Sequence, residues 1–173
     1  MIHADDLYPR HRPRLLFVCS GNTCRSQMAE GWTRALFGER LESYSAGIET
    51  HRLDPHAVAV MAEAGIDISS HFSKLIDVFT PHRFDWIIVL SARAEAHLEA
   101  IRFPGHIVRM SCLSPSRRAG TAHPSRAHYR SVRDEIKELV CTLAAETVAS
   151  PVSTSFSSAK GRSAVHVSMR EAG

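Results

Sequence analysis

Apolar residues follow two rhythms along this chain. Unbroken runs at Leu15–Val18 and Trp86–Leu90, with weaker ones at Tyr44–Ala46 and His106–Met110, have the length of buried strands. Between them the apolar positions recur every three or four residues. Met28, Ala29, Trp32, Ala35 and Leu36 predict a helix over Ser26–Phe37, stopped by Gly38. Asp54 reads as an N-cap and Pro55 as a first helical residue, opening a helix to Ala64 that Gly65 ends. Further helices are expected over Ser70–Ile76, Ala92–Ile101 and Ser125–Ala145. The last places Tyr129, Val132, Ile136, Leu139 and Val140 on one face. Strands alternating with helices predict an α/β fold, a parallel sheet covered by helices on both faces.

This pattern fills residues 14–147, a single domain. Residues 1–13 are a polar, Arg- and His-rich lead-in, expected to be flexible. Residues 148–173 are rich in Ser and Ala and lack periodicity, the signature of a disordered tail. The whole chain of 173 residues is long enough for one real core, and 44% apolar with 23% charged residues is ordinary for a globular protein. A net charge of +3 is too small to argue for nucleic acid, and no apolar run has the length of a membrane span. The first residues carry two acids and no apolar stretch of the kind that directs secretion, so a cytoplasmic location is expected.

The chemistry concentrates in SGNTCRS, residues 20–26, which follows Cys19 at the end of the first strand and leads into the first helix. Ligands of open α/β sheets bind at the carboxyl ends of strands. A helix N-terminus there offers backbone N–H groups and a favourable dipole to an anion. The amides of Ser20, Gly21, Asn22, Thr23 and Cys24 are the expected oxyanion cradle. Gly21 is expected to supply the turn and Asn22 a left-handed conformation. Arg25 adds a planar fork for two oxygens of a tetrahedral anion. The same surroundings favour the thiolate of Cys19, and the Ser26 hydroxyl can hydrogen-bond to it. One pocket can thus hold an oxyanion and attack it with sulfur. No lysine follows to make a nucleotide-binding P-loop, and no C-x-x-C redox pair occurs. The four cysteines, Cys19, Cys24, Cys112 and Cys141, fit no zinc spacing, and no metal site is expected. Buried structural thiols are the alternative reading of the pair in the loop.

VCSGNTCRS resembles the active-site loop of the low-molecular-weight protein tyrosine phosphatases and of their relatives, the thiol-dependent arsenate reductases. SQMAEGW, SYSAGIETHRLDPHAVAVMAEAGIDISSHFSK and VRDEIKEL extend the likeness over about Arg14 to Ala145. The reductase branch is favoured by Gln27, where the phosphatases usually carry proline. The resemblance implies a four-stranded parallel sheet, Cys19 as nucleophile, Arg25 as oxyanion clamp, and Asn22 and Ser45 as supports of the loop. It implies no bound cofactor but an external thiol reductant, either thioredoxin or a glutaredoxin with a low-molecular-weight thiol.

The chain also departs from that family. Thioredoxin-coupled reductases carry two more cysteines, at positions aligned here with Ser91 and Leu98. Their general-acid aspartate aligns with Ser114. The aspartate with which some of them bind potassium aligns with Lys74, whose ammonium stands in the cation's place. Cys24 and Cys112 are the internal candidates for a redox role. Three functions follow from one pocket: arsenate reduction with a second, external thiol; hydrolysis of aryl phosphoesters; and non-catalytic oxyanion binding.

Overall fold

The computed structural model describes residues 12–79, 84–103, 105–110, 112–149 and 169–170. Strand β1 (Arg14–Cys19) is buried on both faces, since Leu15 to Val18 are fully shielded from solvent. Its alternate side chains serve two cores. Leu15, Phe17 and Cys19 face one, Leu16 and Val18 the other. Helix α1 (Arg25–Phe37) follows, then β2 (Glu42–Gly47) and α2 (Pro55–Glu63). Beyond these come β3 (Trp86–Val89), α3 (Ala92–Ala100), β4 (Ile107–Arg109), the short α4 (Pro115–Ala119) and the long α5 (Arg126–Ala149). The sheet runs β2-β1-β3-β4, all parallel, with Cys19 beside Gly47 and Val18 beside Val89. The connection from β2 crosses β1 to reach β3, so the winding of the connections reverses beside Cys19. That is where such sheets bind ligands. α1, α2 and α5 close one face around Met28, Trp32, Met61 and Ile136; α3 closes the other through Ala94 and Leu98.

The expected α/β class, the four parallel strands and the amphipathic face of α5 are all present, and Tyr129, Val132, Ile136, Leu139 and Val140 are buried. Three local expectations are corrected. Ser70–Ile76 is not a helix. Asp67 turns the chain by accepting from the Ser69 N–H at 2.8 Å. The following backbone is then committed to tertiary bonds, with Lys74 N donating to Asn22 Oδ1 and Gly47 N to Lys74 O, each at 2.8 Å. A 3-10 turn forms only at Ile76–Phe79. Helix α4 was not foreseen; Ser114 caps it and Pro115 starts it. In the expected tail, Val148 and Ala149 complete α5, and Met169–Arg170 form β5, antiparallel to β4. The rest of that tail, and residues 1–11 of the lead-in, lie outside the described residues.

Candidate active site

Residues 20–24 bridge β1 and α1, and a hydrogen-bond network fixes their path. Asn22 takes a left-handed backbone (φ 49°) and is fully buried. Its side chain donates to Ser26 Oγ at 2.9 Å and accepts from Lys74 N and from Gln27 Nε2. Gln27 Nε2 also lies 3.0 Å from the Asn22 and Phe72 carbonyls, while its oxygen meets His71 Nδ1 at 2.9 Å. Gln27 therefore ties the loop to the 71–74 segment, which a proline there could not do. Ser73 Oγ adds a bond to Gly21 O at 2.8 Å. Asn22 takes the left-handed conformation expected of it, whereas Gly21 does not have a positive φ, so the expectation that it supplies a special turn is corrected. The glycine that the loop requires is Gly47. A Cβ there would stand 2.5 Å from Glu49 O, 2.7 Å from Asn22 N and 2.8 Å from Ser20 O. In the sequence Gly47 is only the residue that follows the short run Tyr44–Ala46.

Cys19 Sγ lies 2.9 Å from Ser26 Oγ, a contact that suits a thiolate accepting from the hydroxyl. Cys24 occupies the N-cap of α1 without a side-chain cap, so the helix's first N–H groups are left for a ligand. Arg25 is aimed by two carbonyls: its Nη1 donates to Leu90 O at 2.8 Å and to Cys112 O at 2.9 Å. A cleft of about 140 Å³ is lined by Cys19, Gly21, Thr23, Cys24 and Arg25 from the loop and α1, and by Asp54, Ser114, Pro115, Ser116 and Tyr129. The structure thus brings the expected nucleophile, clamp and loop together. It also adds Asp54 and Tyr129, which sequence reading had as a helix cap and a core residue.

Ser45 does not support the loop directly. Its hydroxyl donates to Glu30 and receives Lys74 Nζ at 3.4 Å, so it acts on Asn22 only through Lys74. Lys74 Nζ also lies 3.0 Å from Phe72 O and 3.7 Å from Glu30 Oε2. A positive charge already stands among these oxygens, so they do not fit a bound potassium ion. Among the described residues no three His, Cys, Asp or Glu side chains gather to hold a metal.

Two further thiols lie close to the loop. Burial raises Cys24 well above its ordinary pKa, reinforced by Asp54. Burial pushes Cys112 up to about 11, against the pull of Arg25. Ser91 caps α3 and meets Ser20 Oγ at 3.2 Å, beside the loop, whereas Leu98 is buried in the core across the sheet. Ser114 Oγ accepts from Arg117 N and pairs with Ser116 Oγ, each at 3.3 Å, as an ordinary helix cap.

A buried strand ending in a thiol, an oxyanion loop and an arginine fork define a cysteine-dependent oxyanion enzyme class. The sequence pattern of the low molecular weight phosphotyrosine protein phosphatases matches residues 14–153, and the chain belongs to that family. Within it, the chain is 42% identical to an arsenate reductase of Bacillus licheniformis over 128 residues, 73% of this chain and 91% of that one. A solved arsenate reductase in its phosphate-binding state superposes with a TM-score of 0.62 at 32% identity, over 78% of this chain and 98% of the other. A low molecular weight protein tyrosine phosphatase from T. tengcongensis superposes with a TM-score of 0.65 at 25% identity, over 78% and 99%.

Proposed function

We propose that the protein is an arsenate reductase. The carrying observation is the cleft itself: Cys19 and Arg25 face a space of about 140 Å³ in which the position expected for a general acid is a capping serine. Arsenate is held by the loop amides and the Arg25 fork. The Cys19 thiolate sulfur bonds to arsenic, and an arsenate hydroxyl, taking one more proton from solvent, leaves as water. A second thiolate then attacks Cys19 sulfur. The sulfur–arsenic electron pair stays on arsenic, which leaves as arsenite, reduced from the +5 to the +3 state. The two sulfurs are oxidised to a disulfide.

The second thiol is external. Burial raises the pKa of Cys24 and of Cys112, which disfavours their thiolates, and the hydroxyl of Ser91 cannot form a disulfide. A thioredoxin, or a glutaredoxin with a low-molecular-weight thiol, meets the need, and such donors operate in the reducing cytoplasm. The described residues contain no helix long and apolar enough to cross a membrane. Likeness to the phosphatase favours aryl phosphate hydrolysis as a second reading, through a phosphocysteine on the same residue. The missing acid weakens it, since that group contributes about 10²–10⁴-fold to such reactions.

The test is arsenite formation with thioredoxin, glutaredoxin plus glutathione, and plain thiol supplied separately, beside Cys19→Ser and Cys112→Ser. Arsenite from one donor, lost in Cys19→Ser and retained in Cys112→Ser, is expected. No arsenite from any donor would defeat the proposal; loss in Cys112→Ser would make the second thiol internal.

A further inference from the structure

The lining of the cleft carries a carboxylate where an anion is to bind. Asp54 is tied to the loop through its own N–H, which donates to Thr23 O at 3.1 Å. Its Oδ1 accepts from His56 N at 2.9 Å, capping α2, and its Oδ2 accepts from Tyr129 Oη–H at 2.7 Å. Tyr129 comes from α5 and stacks on His56, with ring centroids 5.2 Å apart, so the carboxylate is braced from two helices. Burial, reinforced by Asp54, raises the Tyr129 phenol and keeps it a donor. The charged or titratable groups around this carboxylate are Tyr129 from α5, His56 on its own helix, and Cys19, Cys24 and Arg25 from the loop and α1. Helix capping alone would use Oδ1 and does not require the second bond.

An ionised carboxylate only accepts hydrogen bonds, and it has about four lone-pair sites. The two bonds above leave room for more. The cleft is small, about 140 Å³, and Asp54 lines it together with Cys19 and Arg25. A tetrahedral oxyanion seated on the loop therefore shares this space with Asp54. A bare anionic oxygen meeting Asp54 there is repelled, while an oxygen carrying a hydrogen donates to it.

We infer that Asp54, braced by Tyr129, reads the proton on the oxyanion, so that the site takes hydroxyl-bearing tetrahedral oxyanions such as arsenate and phosphate and rejects sulfate, which carries none. The inference rests on the oxyanion-pocket part of the proposed function. It has a consequence for the chemistry. The oxygen held by Asp54 is the hydroxyl, and with one more proton from solvent it is the oxygen able to leave as water when the Cys19 thiolate attacks. Rejection comes from an uncompensated acceptor facing an acceptor, a stronger discriminator than shape between ions of similar size.

The experiment measures protection of Cys19 from iodoacetamide, read on the peptide that carries it, by phosphate and by sulfate. It compares the full chain with Asp54→Asn and Asp54→Ser. Both replacements can still cap α2, and circular dichroism checks that they fold. In the parent chain phosphate should protect at a concentration at least about tenfold lower than sulfate, a difference of about 1.4 kcal/mol. In both variants the gap should close to within about threefold, chiefly by stronger sulfate protection. An unchanged ratio in folded variants, or equal protection in the parent chain, overturns the inference. Protection by neither anion overturns it together with the oxyanion pocket. Arsenite formation on the same samples separates the two claims: an absence of arsenite with the anion ratio as expected defeats the reductase reading and leaves Asp54's role standing.

Discussion

We propose that Arg25 carries two duties through one guanidinium. Nη1 is held by the Leu90 and Cys112 carbonyls, which directs the rest of the fork at the cleft. A lysine has one ammonium and cannot satisfy both carbonyls and chelate two oxygens. Arg25→Lys should therefore lower kcat/KM for arsenite formation by about 10²–10³-fold, with the unfolding temperature little changed. Equal activity in the variant would remove Arg25 from the clamp. Ser114 is the opposite case, a residue whose ordinary role conceals a missing one. Aspartate caps a helix as well as serine does. Ser114→Asp should keep α4 and place a carboxyl group in the cleft wall. Aryl phosphate hydrolysis should then rise by about 10²-fold or more, while arsenite formation changes far less. A rise in both alike would show that the arsenate reaction also lacks its acid.

At the scale of elements, the loop depends on the 71–74 segment. Gln27, His71, Ser73 and Lys74 each contribute to its hold, and Lys74 draws in Glu30 and Ser45 from α1 and β2. His71 makes this hold sensitive to pH. Its Nδ1 faces the Gln27 oxygen and its Nε2 lies 3.4 Å from Arg34 Nη1. Burial lowers its pKa from 6.5; Glu30 and Asp67 oppose that, while Arg34 and Lys74 reinforce it. The unfolded chain therefore takes up a proton at higher pH than the folded chain does. Stability is full above the unfolded value and falls as pH drops below 6.5 toward the folded value. The unfolding temperature should decline between about pH 7.5 and 5.5, and His71→Gln should decline less over that range. Parallel curves for the two chains would assign the loss to other groups. Lys74 is also lowered by burial, against the attraction of Glu30, which is consistent with a cation held among few waters.

For the molecule as a whole, we propose that residues 14–147 fold as one domain and that the segment after α5 is dispensable for catalysis. The cleft is lined by residues between Cys19 and Tyr129, and the central strands β1 and β3 are covered on both faces by helices that end by Ala149. Met169–Arg170 touch only the edge strand β4 within the sheet. A chain ending at Ala149 should keep its arsenite-forming activity and unfold cooperatively, with the unfolding temperature lowered by no more than about 4–8 °C, the effect of about 1 kcal/mol in a domain of roughly this size. Failure to fold would make the tail part of the domain.

What the sequence determined by itself was whatever depends on neighbours in the chain. The run Leu15–Val18 must be a buried strand, because four consecutive apolar side chains leave no polar face. The spacing in α5 must bury Tyr129 to Val140 on one side. Cys19 and Arg25, joined by a short loop between strand and helix, had to share a pocket. Tertiary structure decided whatever depends on residues far apart. Segment 71–74 is extended because Asn22 and Gly47, distant in sequence, take its backbone hydrogen bonds. Gly47 is required because another strand's loop passes against it. Asp54 looks like a cap in the sequence and caps α2 in the structure, yet α5 brings Tyr129 to its second oxygen and both line the same cleft as Cys19. Local periodicity reports which face of an element is buried; it carries no record of which distant side chain arrives there, and that arrival sets the chemistry of this cleft's lining.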